Sequence, residues 1–289
     1  MPALARFSSM LRIARECGYA VAAFNVYNLE SMTAAVRAAI STQTPVIVAL
    51  GERYFPNLRP ATARALLISL LEQYDRDGQA IPPIGLHLDH SSSPDTCREA
   101  IRSGFTSVMI DGSHLPFREN VSLTRIVVEE AHAHGVEVEA ELGGLAAGEG
   151  SHEFITGEQT LTDPDQAEEF VFLTGVDALA VSVGTVHGLY RGAPHIDLDR
   201  LAAIHARVDV PLVLHGGSGT PAELLRECVA RGVAKVNVNT EVSLAAVRRI
   251  QEELDAHPNT HYAQLGLAAV AAMEEVMKDY IQRFGAPIT

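Results

Sequence analysis

The chain has 289 residues, 47% of them hydrophobic, with 22 basic and 36 acidic side chains and a formal net charge of −14. That size suits one large domain or two modest ones and buries roughly 75% of the unfolded surface, so no disulfide or structural metal is needed to hold a fold together. The acidic balance, without a Lys/Arg cluster, excludes a phosphate-tracking surface and so nucleic acid, and the lack of an 18-residue apolar run or an apolar leader predicts a cytoplasmic protein with no membrane partner.

From the N-terminus, short β-rich apolar runs alternate with stretches of helical period. AVAAFNV (20–26) precedes a predicted helix over 29–42, PVIVAL (45–50) one over 61–75, IGLHLD (84–89) one over 94–103, and SVMID (107–111) one over 117–134. VEVEAEL (136–142) leads into a long glycine-rich connection, 143–164, before a helix over 163–174. ALAVSV (178–183) precedes a helix over 197–207, PLVLHG (211–216) one over 221–231, and KVNVN (235–239) one over 241–256. A polar connection, DAHPNTHYAQ, then reaches a last helix over 265–284. Prolines punctuate the starts, with Pro60 and Pro116 just ahead of a helix and Pro94 and Pro221 in its first turn. Eight strand–helix units imply parallel strands and crossover helices, and predict an α/β fold: one (β/α)8 TIM barrel over 1–289 with a C-terminal closing helix. An open doubly wound sheet is the alternative, disfavoured because no G-x-G-x-x-G follows the first run. Cys17, Cys97 and Cys228 are odd in number and form no C-x-x-C, which suits reduced, buried packing residues.

In such barrels the chemistry gathers at the C-terminal ends of the strands. There the first run ends near Asn25, the third in Asp89 and His90, the fourth in Asp111 and the fifth in Glu139 and Glu141. The sixth leads to His187, the seventh ends in His215, and the eighth in Asn237 and Asn239. One histidine in such a place reads as a hydrogen-bonded structural residue. Three at three strand ends point to Zn²⁺ with an open coordination position, the alternative being three unrelated histidines. HGGSGTPAE (215–223) offers glycine backbone and a helix start, with Thr220 as cap, Pro221 in the first turn and Glu223 completing a capping box. Thr240 is the expected cap after Asn237 and Asn239. Together these read as a phosphate cradle or as two ordinary capped turns. The connection 143–164 reads as a lid, and Glu149, between Gly148 and Gly150, as a base on that lid or a solvated loop carboxylate.

The segments GYAVAAFNVYNLE (18–30), HLDHSSS (87–93), GFTSVMIDGSHLPFREN (104–120), VEVEAELG (136–143), GTVHGLYRGAP (184–194), PLVLHGGSG (211–219) and KVNVNTE (235–241) resemble, in order and spacing, the class II zinc-dependent ketose-1,6-bisphosphate aldolases. The resemblance implies that His90, His187 and His215 bind one catalytic Zn²⁺ per chain, with Asp111 and Glu141 at an alternative or second metal site. It implies that Asp89 is the acid/base at the C4 hydroxyl and that Glu149 exchanges a proton with the dihydroxyacetone phosphate carbon. Gly188, Gly216, Ser218, Asn237 and Thr240 match groups that hold the triose phosphate, with Asn237 near the enediolate and Asn25 lining the substrate pocket, beside a monovalent cation, Na⁺ or K⁺. The implied reaction is reversible cleavage of a fructose or tagatose 1,6-bisphosphate to dihydroxyacetone phosphate and glyceraldehyde 3-phosphate through a zinc-stabilised enediolate, as in glycolysis. Lys235 and Lys278 are the only lysines, and Lys235 opens the eighth run at the wrong end for a Schiff base.

The chain departs from many relatives at Gly150, Leu161 and Gly51, where an acid, a tyrosine and a hydroxyl residue are common; Arg53 and Arg59 lie close to Gly51, either to meet a distal phosphate or to sit in solvent. A sister enzyme cleaving a deoxy-keto-gluconate phosphate is a same-class alternative. A zinc-dependent barrel hydrolase and a non-catalytic companion subunit are alternatives of other classes. The resemblance also implies a homodimer or homotetramer.

Overall fold

The computed structural model describes residues 3–151 and 160–286. Its strands are β1 (Val21–Asn25), β2 (Val46–Gly51), β3 (Ile84–Ser91), β4 (Ser107–Ile110), β5 (Glu137–Leu142), β6 (Ala146–Ala147), β7 (Ala178–Val181), β8 (Val186–His187), β9 (Leu212–Leu214) and β10 (Val233–Val238). Eight of them, all but β6 and β8, form a closed parallel barrel in chain order, and the ring closes where β1 pairs with β10, Ala23 opposite Asn237. This is the TIM-barrel fold that the alternation of elements predicts, and the open sheet is excluded. Strands β6 and β8 pair with each other in a separate parallel ribbon.

The helices are α1 (Phe7–Cys17), α2 (Leu29–Thr42), α3 (Pro60–Arg76), α4 (Pro94–Arg102), α5 (Phe117–Ala133), α6 (Pro164–Thr174), α7 (Leu198–His205), α8 (Ala222–Ala230), α9 (Thr240–Ala256) and α10 (Tyr262–Arg283). Nine follow the predicted segments closely. The closing helix α10 packs on α2 and α9, and the Phe284 carbonyl just beyond it accepts from the Ala20 amide, fastening the C-terminus to the start of β1.

Barrel strands are covered by helices outside and by one another inside, which is why they read as continuous apolar runs. In β1, β2, β4, β5, β7, β9 and β10 every residue is buried. Three strands, β3, β5 and β10, carry polar layers into the bore. Side chains alternate along a strand, so residues 87 and 89, 139 and 141, and 235 and 237 each share one face. Hydrogen bonds from Lys235 to Glu139 and from Asn237 to Asp89 join strands that are not neighbours, so that shared face is the interior. The bore thus has a lower polar layer, His87, Glu139 and Lys235, and an upper one, Asp89, Glu141 and Asn237.

Helix α1 is absent from the expected elements. It covers the N-terminal rim: Ser8 donates through its amide and hydroxyl to Glu137 at the start of β5 (2.7 and 2.5 Å), and the Ala5 amide donates to the carbonyl of Ile84 at the start of β3 (2.8 Å). The Phe7 ring stacks on His87 at 5.2 Å and 2°, plugging the bore from below.

Several local expectations are corrected. Pro60 lies inside the first turn of α3, and Pro221 precedes α8 instead of entering it. No side chain caps α8, so the Thr220–Glu223 capping box does not form; the Thr220 hydroxyl instead meets the Tyr190 hydroxyl at 3.1 Å. Thr240 is the first residue of α9 and not its cap. Lys235 is the third residue of β10, fully buried in the bore. Cys97 and Cys228 are buried as expected, but Cys17, at the end of α1, is exposed. Residues 152–159 of the expected lid lie outside the described residues.

Candidate active site

The C-terminal rim of the barrel gathers most of the sequence-predicted residues into one cleft. It is lined by Asn25, Asp89, His90, Ser151, His187, Gly188, His215, Gly216, Ser218, Asn237, Asn239 and Thr240, around an empty volume of about 360 Å³. Every expected substrate-binding residue is there. Asn239, seen in the sequence only as a strand end, also lines it and donates to the Tyr54 hydroxyl (2.9 Å), which ties the wall to the loop after β2.

Asp89 and His90 are adjacent in β3, and strict alternation would send their side chains to opposite faces. The register between β3 and β4 shifts between Leu88 and Ser91, and His90 adopts a left-handed backbone (φ 43°). This bulge turns His90 toward the same cleft as Asp89, a local strain of the kind found at functional sites.

The three histidines meet. The rings of His90 and His187 lie 5.0 Å apart, those of His90 and His215 4.5 Å, and those of His187 and His215 6.0 Å. One ring nitrogen from each lies within 4.8 Å of the others. His90 Nε2 faces His215 Nδ1 at 2.8 Å, while His90 Nδ1 is held by Asp111 at 2.9 Å and His215 Nε2 by Glu139 at 2.8 Å. Burial holds the imidazoles of His187 and His215 below their ordinary range, and the charge of His90 adds to this. Neutral imidazoles turned toward one point are the donor set that Zn²⁺ takes, with a fourth position open, so the residues present fit the metal.

Asp89 is clamped. Asn25 donates to one carboxylate oxygen at 2.7 Å and Asn237 to the other at 2.9 Å, and the side chain is buried. Burial alone raises its pKa, but the charges of His90, His215, Lys235 and His87 outweigh that and hold the carboxyl well below the usual range. It is therefore an ionised acceptor at neutral pH.

His90, Asp111 and Glu141 form a second group of close ligand atoms. Asp111 accepts from the Ser113 amide (3.0 Å) and, despite burial, is held low by the hydrogen bond and charge of His90 and then by Ser113. Glu141 behaves oppositely: burial, then the nearby Asp111, push its carboxyl well above the usual range. Its Oε2 has no hydrogen-bond partner among the described residues.

Segment 215–223, the expected phosphate cradle, contributes His215, Gly216 and Ser218 to the cleft, beside Thr240 at the start of α9. Gly216 has φ 70°, and a Cβ there would lie 2.1 Å from the Val186 carbonyl oxygen, so only glycine lets the two loops touch. The Gly217 amide donates to Asn237 and the Thr220 amide to Gly217, while the Gly219 amide donates to the Glu241 carboxylate (2.6 Å) and the Tyr280 hydroxyl (3.0 Å). Glu149 is not brought into the cleft. It is 64% exposed, its backbone bridges Leu189, and its carboxylate lies 3.8 Å from Arg191. Arg59 pairs with Glu99 at 2.5 Å.

A parallel barrel with clustered histidines and a clamped aspartate on its C-terminal rim has the layout of a metal-dependent barrel enzyme. The family model of class-II fructose-bisphosphate aldolases matches residues 5–287. A curated Bacillus subtilis (strain 168) protein described as a "probable fructose-bisphosphate aldolase" is 40% identical over 288 residues, 98% of either chain. The crystal structure of the YdjI aldolase from Escherichia coli K12 superposes with a TM-score of 0.86 at 31% identity, covering 99% of this chain and 98% of that one. The Campylobacter jejuni fructose-bisphosphate aldolase shares the fold, with a TM-score of 0.79 at 20% identity over 97% of this chain and 95% of that one. The chain belongs to the class-II fructose-bisphosphate aldolase family, whose members are carbon–carbon lyases and typically metal-dependent.

Proposed function

We propose that the protein is a zinc-dependent aldolase that reversibly cleaves a fructose or tagatose 1,6-bisphosphate to dihydroxyacetone phosphate and glyceraldehyde 3-phosphate. The observation that carries this reading is the pairing of an ionised, doubly clamped Asp89 with three histidines turned toward one point in the same cleft. His90, His187 and His215 would hold Zn²⁺, and bound there it supplies a Lewis acid for the negative charge that develops when C3–C4 breaks.

Asp89 removes the proton of the C4 hydroxyl so that the aldehyde can leave. Asn25 and Asn237 keep it from rotating, which orients it before the reaction. Glu149 then protonates the triose carbon after its segment moves over the cleft, a motion that its exposed position demands. Gly188, Gly216, Ser218 and Thr240 hold the triose phosphate, supported by the glycine-dependent contact of two loops and by the N-terminus of the 17-residue helix α9. Gly216 and Ser218 line the cleft, while the Gly217, Gly219 and Thr220 amides are engaged within the protein. A monovalent cation, Na⁺ or K⁺, beside the phosphate, and Asp111 and Glu141 as a second metal position, belong to the same proposal. Neither the cleft nor the lysine inventory favours an imine, because Lys235 is buried against Glu139 below the cleft.

A homodimer or homotetramer, which the family resemblance implies, belongs to the same proposal. No helix among the described residues is long and apolar enough to cross a membrane, which accords with a cytoplasmic enzyme of carbohydrate metabolism.

The test is triose phosphate release from fructose and tagatose 1,6-bisphosphates, side by side, before and after chelation and zinc restoration. Chelator-sensitive cleavage is expected, and the ratio of the two kcat/KM values names the sugar. No cleavage of either by zinc-loaded protein overturns the bisphosphate reading; cleavage of a deoxy-keto-gluconate phosphate would then identify the sister activity, and activity only with an added chain would identify a companion-subunit system.

A further inference from the structure

We propose that Glu139 and Lys235 are positioning residues for the metal: they fix His215 in the one tautomer whose Nδ1 lone pair faces the point shared with His90 and His187. This rests on the zinc reading above.

His215 presents its two ring nitrogens to opposite layers of the bore. Nδ1 lies 2.8 Å from His90 Nε2, in the cleft, and Nε2 lies 2.8 Å from Glu139 Oε1, beneath it. An ionised carboxylate accepts hydrogen bonds and donates none, so the hydrogen must sit on Nε2 and Nδ1 must be bare. A metal ligand needs that bare nitrogen, and a carboxylate behind an imidazole is the usual device for fixing it.

Lys235 makes the device workable. Its Nζ reaches both oxygens of Glu139, at 3.1 and 2.8 Å, and the Lys235 and Glu139 side chains are completely buried. A lone carboxylate in that bore would lose far more hydration than one imidazole could replace. The paired ammonium keeps Glu139 anionic, so it stays an acceptor, and pins both oxygens, so it does not rotate away from His215. Below the pair, His87 donates to or accepts from Ser107 at 2.8 Å and stacks on Phe7, whose ring also lies 6.0 Å from Lys235 Nζ. A column therefore runs from α1 through Phe7, Lys235 and Glu139 to His215. Neither Glu139 nor Lys235 lines the cleft, so neither touches substrate.

Two double variants separate positioning from mere filling of the bore. Glu139→Leu with Lys235→Met removes both charges and the acceptor; Glu139→Gln with Lys235→Met removes both charges and leaves a carbonyl acceptor for Nε2–H. Neither leaves an unpaired buried charge, so both should fold, which the metal-free Tm checks. Zinc dissociation constants come from competition with a fluorescent chelator. The Leu/Met variant should bind zinc about 10–100-fold more weakly than the unsubstituted chain, and the Gln/Met variant should recover most of that loss. Unchanged affinity in a folded Leu/Met variant, or equal losses in both variants, overturns the positioning role while the zinc reading stands. An unsubstituted chain that takes up no zinc overturns the zinc reading, and this inference with it.

Discussion

His90 carries the costliest conformation in the site. A histidine at φ 43° gives up about 1–3 kcal/mol relative to ordinary strand geometry, and in exchange two adjacent residues of one strand face the same cleft. The proposed roles of base and metal ligand separate experimentally. Asp89→Asn should keep full zinc content and lower kcat by about 10²- to 10⁴-fold, because an amide accepts no proton; His187→Ala should lose zinc and rate together. Metal analysis beside steady-state rates checks both, and full zinc with full rate in His187→Ala would refute the ligand assignment. Glu141 gives a pH test. Its native pKa is raised, so the metal-free native state binds that proton more tightly than the unfolded chain. The stabilisation is complete below the unfolded carboxyl pKa of about 4.3 and is lost as pH rises through the raised native value. Glu141→Gln should therefore raise the metal-free Tm at pH 8 by about 2–4 °C, the shift for about 1 kcal/mol, and give no gain at pH 4. The meeting of Asp89, His90, His187 and His215 on one rim was legible in the sequence because each stands at or just after a strand end. The role of Glu139 was not, since its partner Lys235 lies 96 positions away across the bore. The polar alternation in HLD, EVEAE and KVN was the available signal.

Among the elements, the ribbon of β6 and β8 links the proposed lid base to a proposed metal ligand. The Gly148 amide donates to the His187 carbonyl at 2.6 Å, and Glu149 and Leu189 exchange backbone hydrogen bonds of 2.8 Å in both directions. A Cβ at position 148 would lie 2.4 Å from the Leu189 carbonyl oxygen and 3.1 Å from that of His187. Gly148→Ala should thus pry the ribbon open, weakening zinc binding and lowering kcat together, while the Tm stays within a few degrees because the barrel wall is untouched. A drop in kcat at unchanged zinc affinity would show that the two segments move independently. Helix positions were legible from apolar spacing, and α1 could have been: Phe7, Met10, Leu11 and Ala14 form its buried face, and Gly18 ends it in a left-handed turn. Caps were less so. A Thr-x-x-Glu pattern permits a capping box, but in α8 the tertiary contact with Tyr190 takes the threonine hydroxyl first.

At the scale of the whole molecule, alternation of apolar runs and helical periods carries the architecture, since parallel strands joined by crossovers have few ways to hide every strand face. What it leaves unread is the filling of the bore, because chains 50 or 150 residues apart meet there only after closure. The plug from α1 is one such filling. Phe7 is 1% exposed, and Phe7→Ala should cost about 3–5 kcal/mol and lower the Tm by about 10 °C in a calorimetric scan; a shift under 2 °C would mean that α1 contributes little to holding the rim. The seam between β1 and β10 has a consequence for biosynthesis. Asp89 is gripped by Asn25 from the first strand and by Asn237 from the last, 148 positions beyond it. A chain still emerging from the ribosome, or clipped before its final strand, lacks one jaw of that grip. On the proposed role of Asp89, a chain that ends before its last strand should therefore show no turnover, however well the rest of it packs.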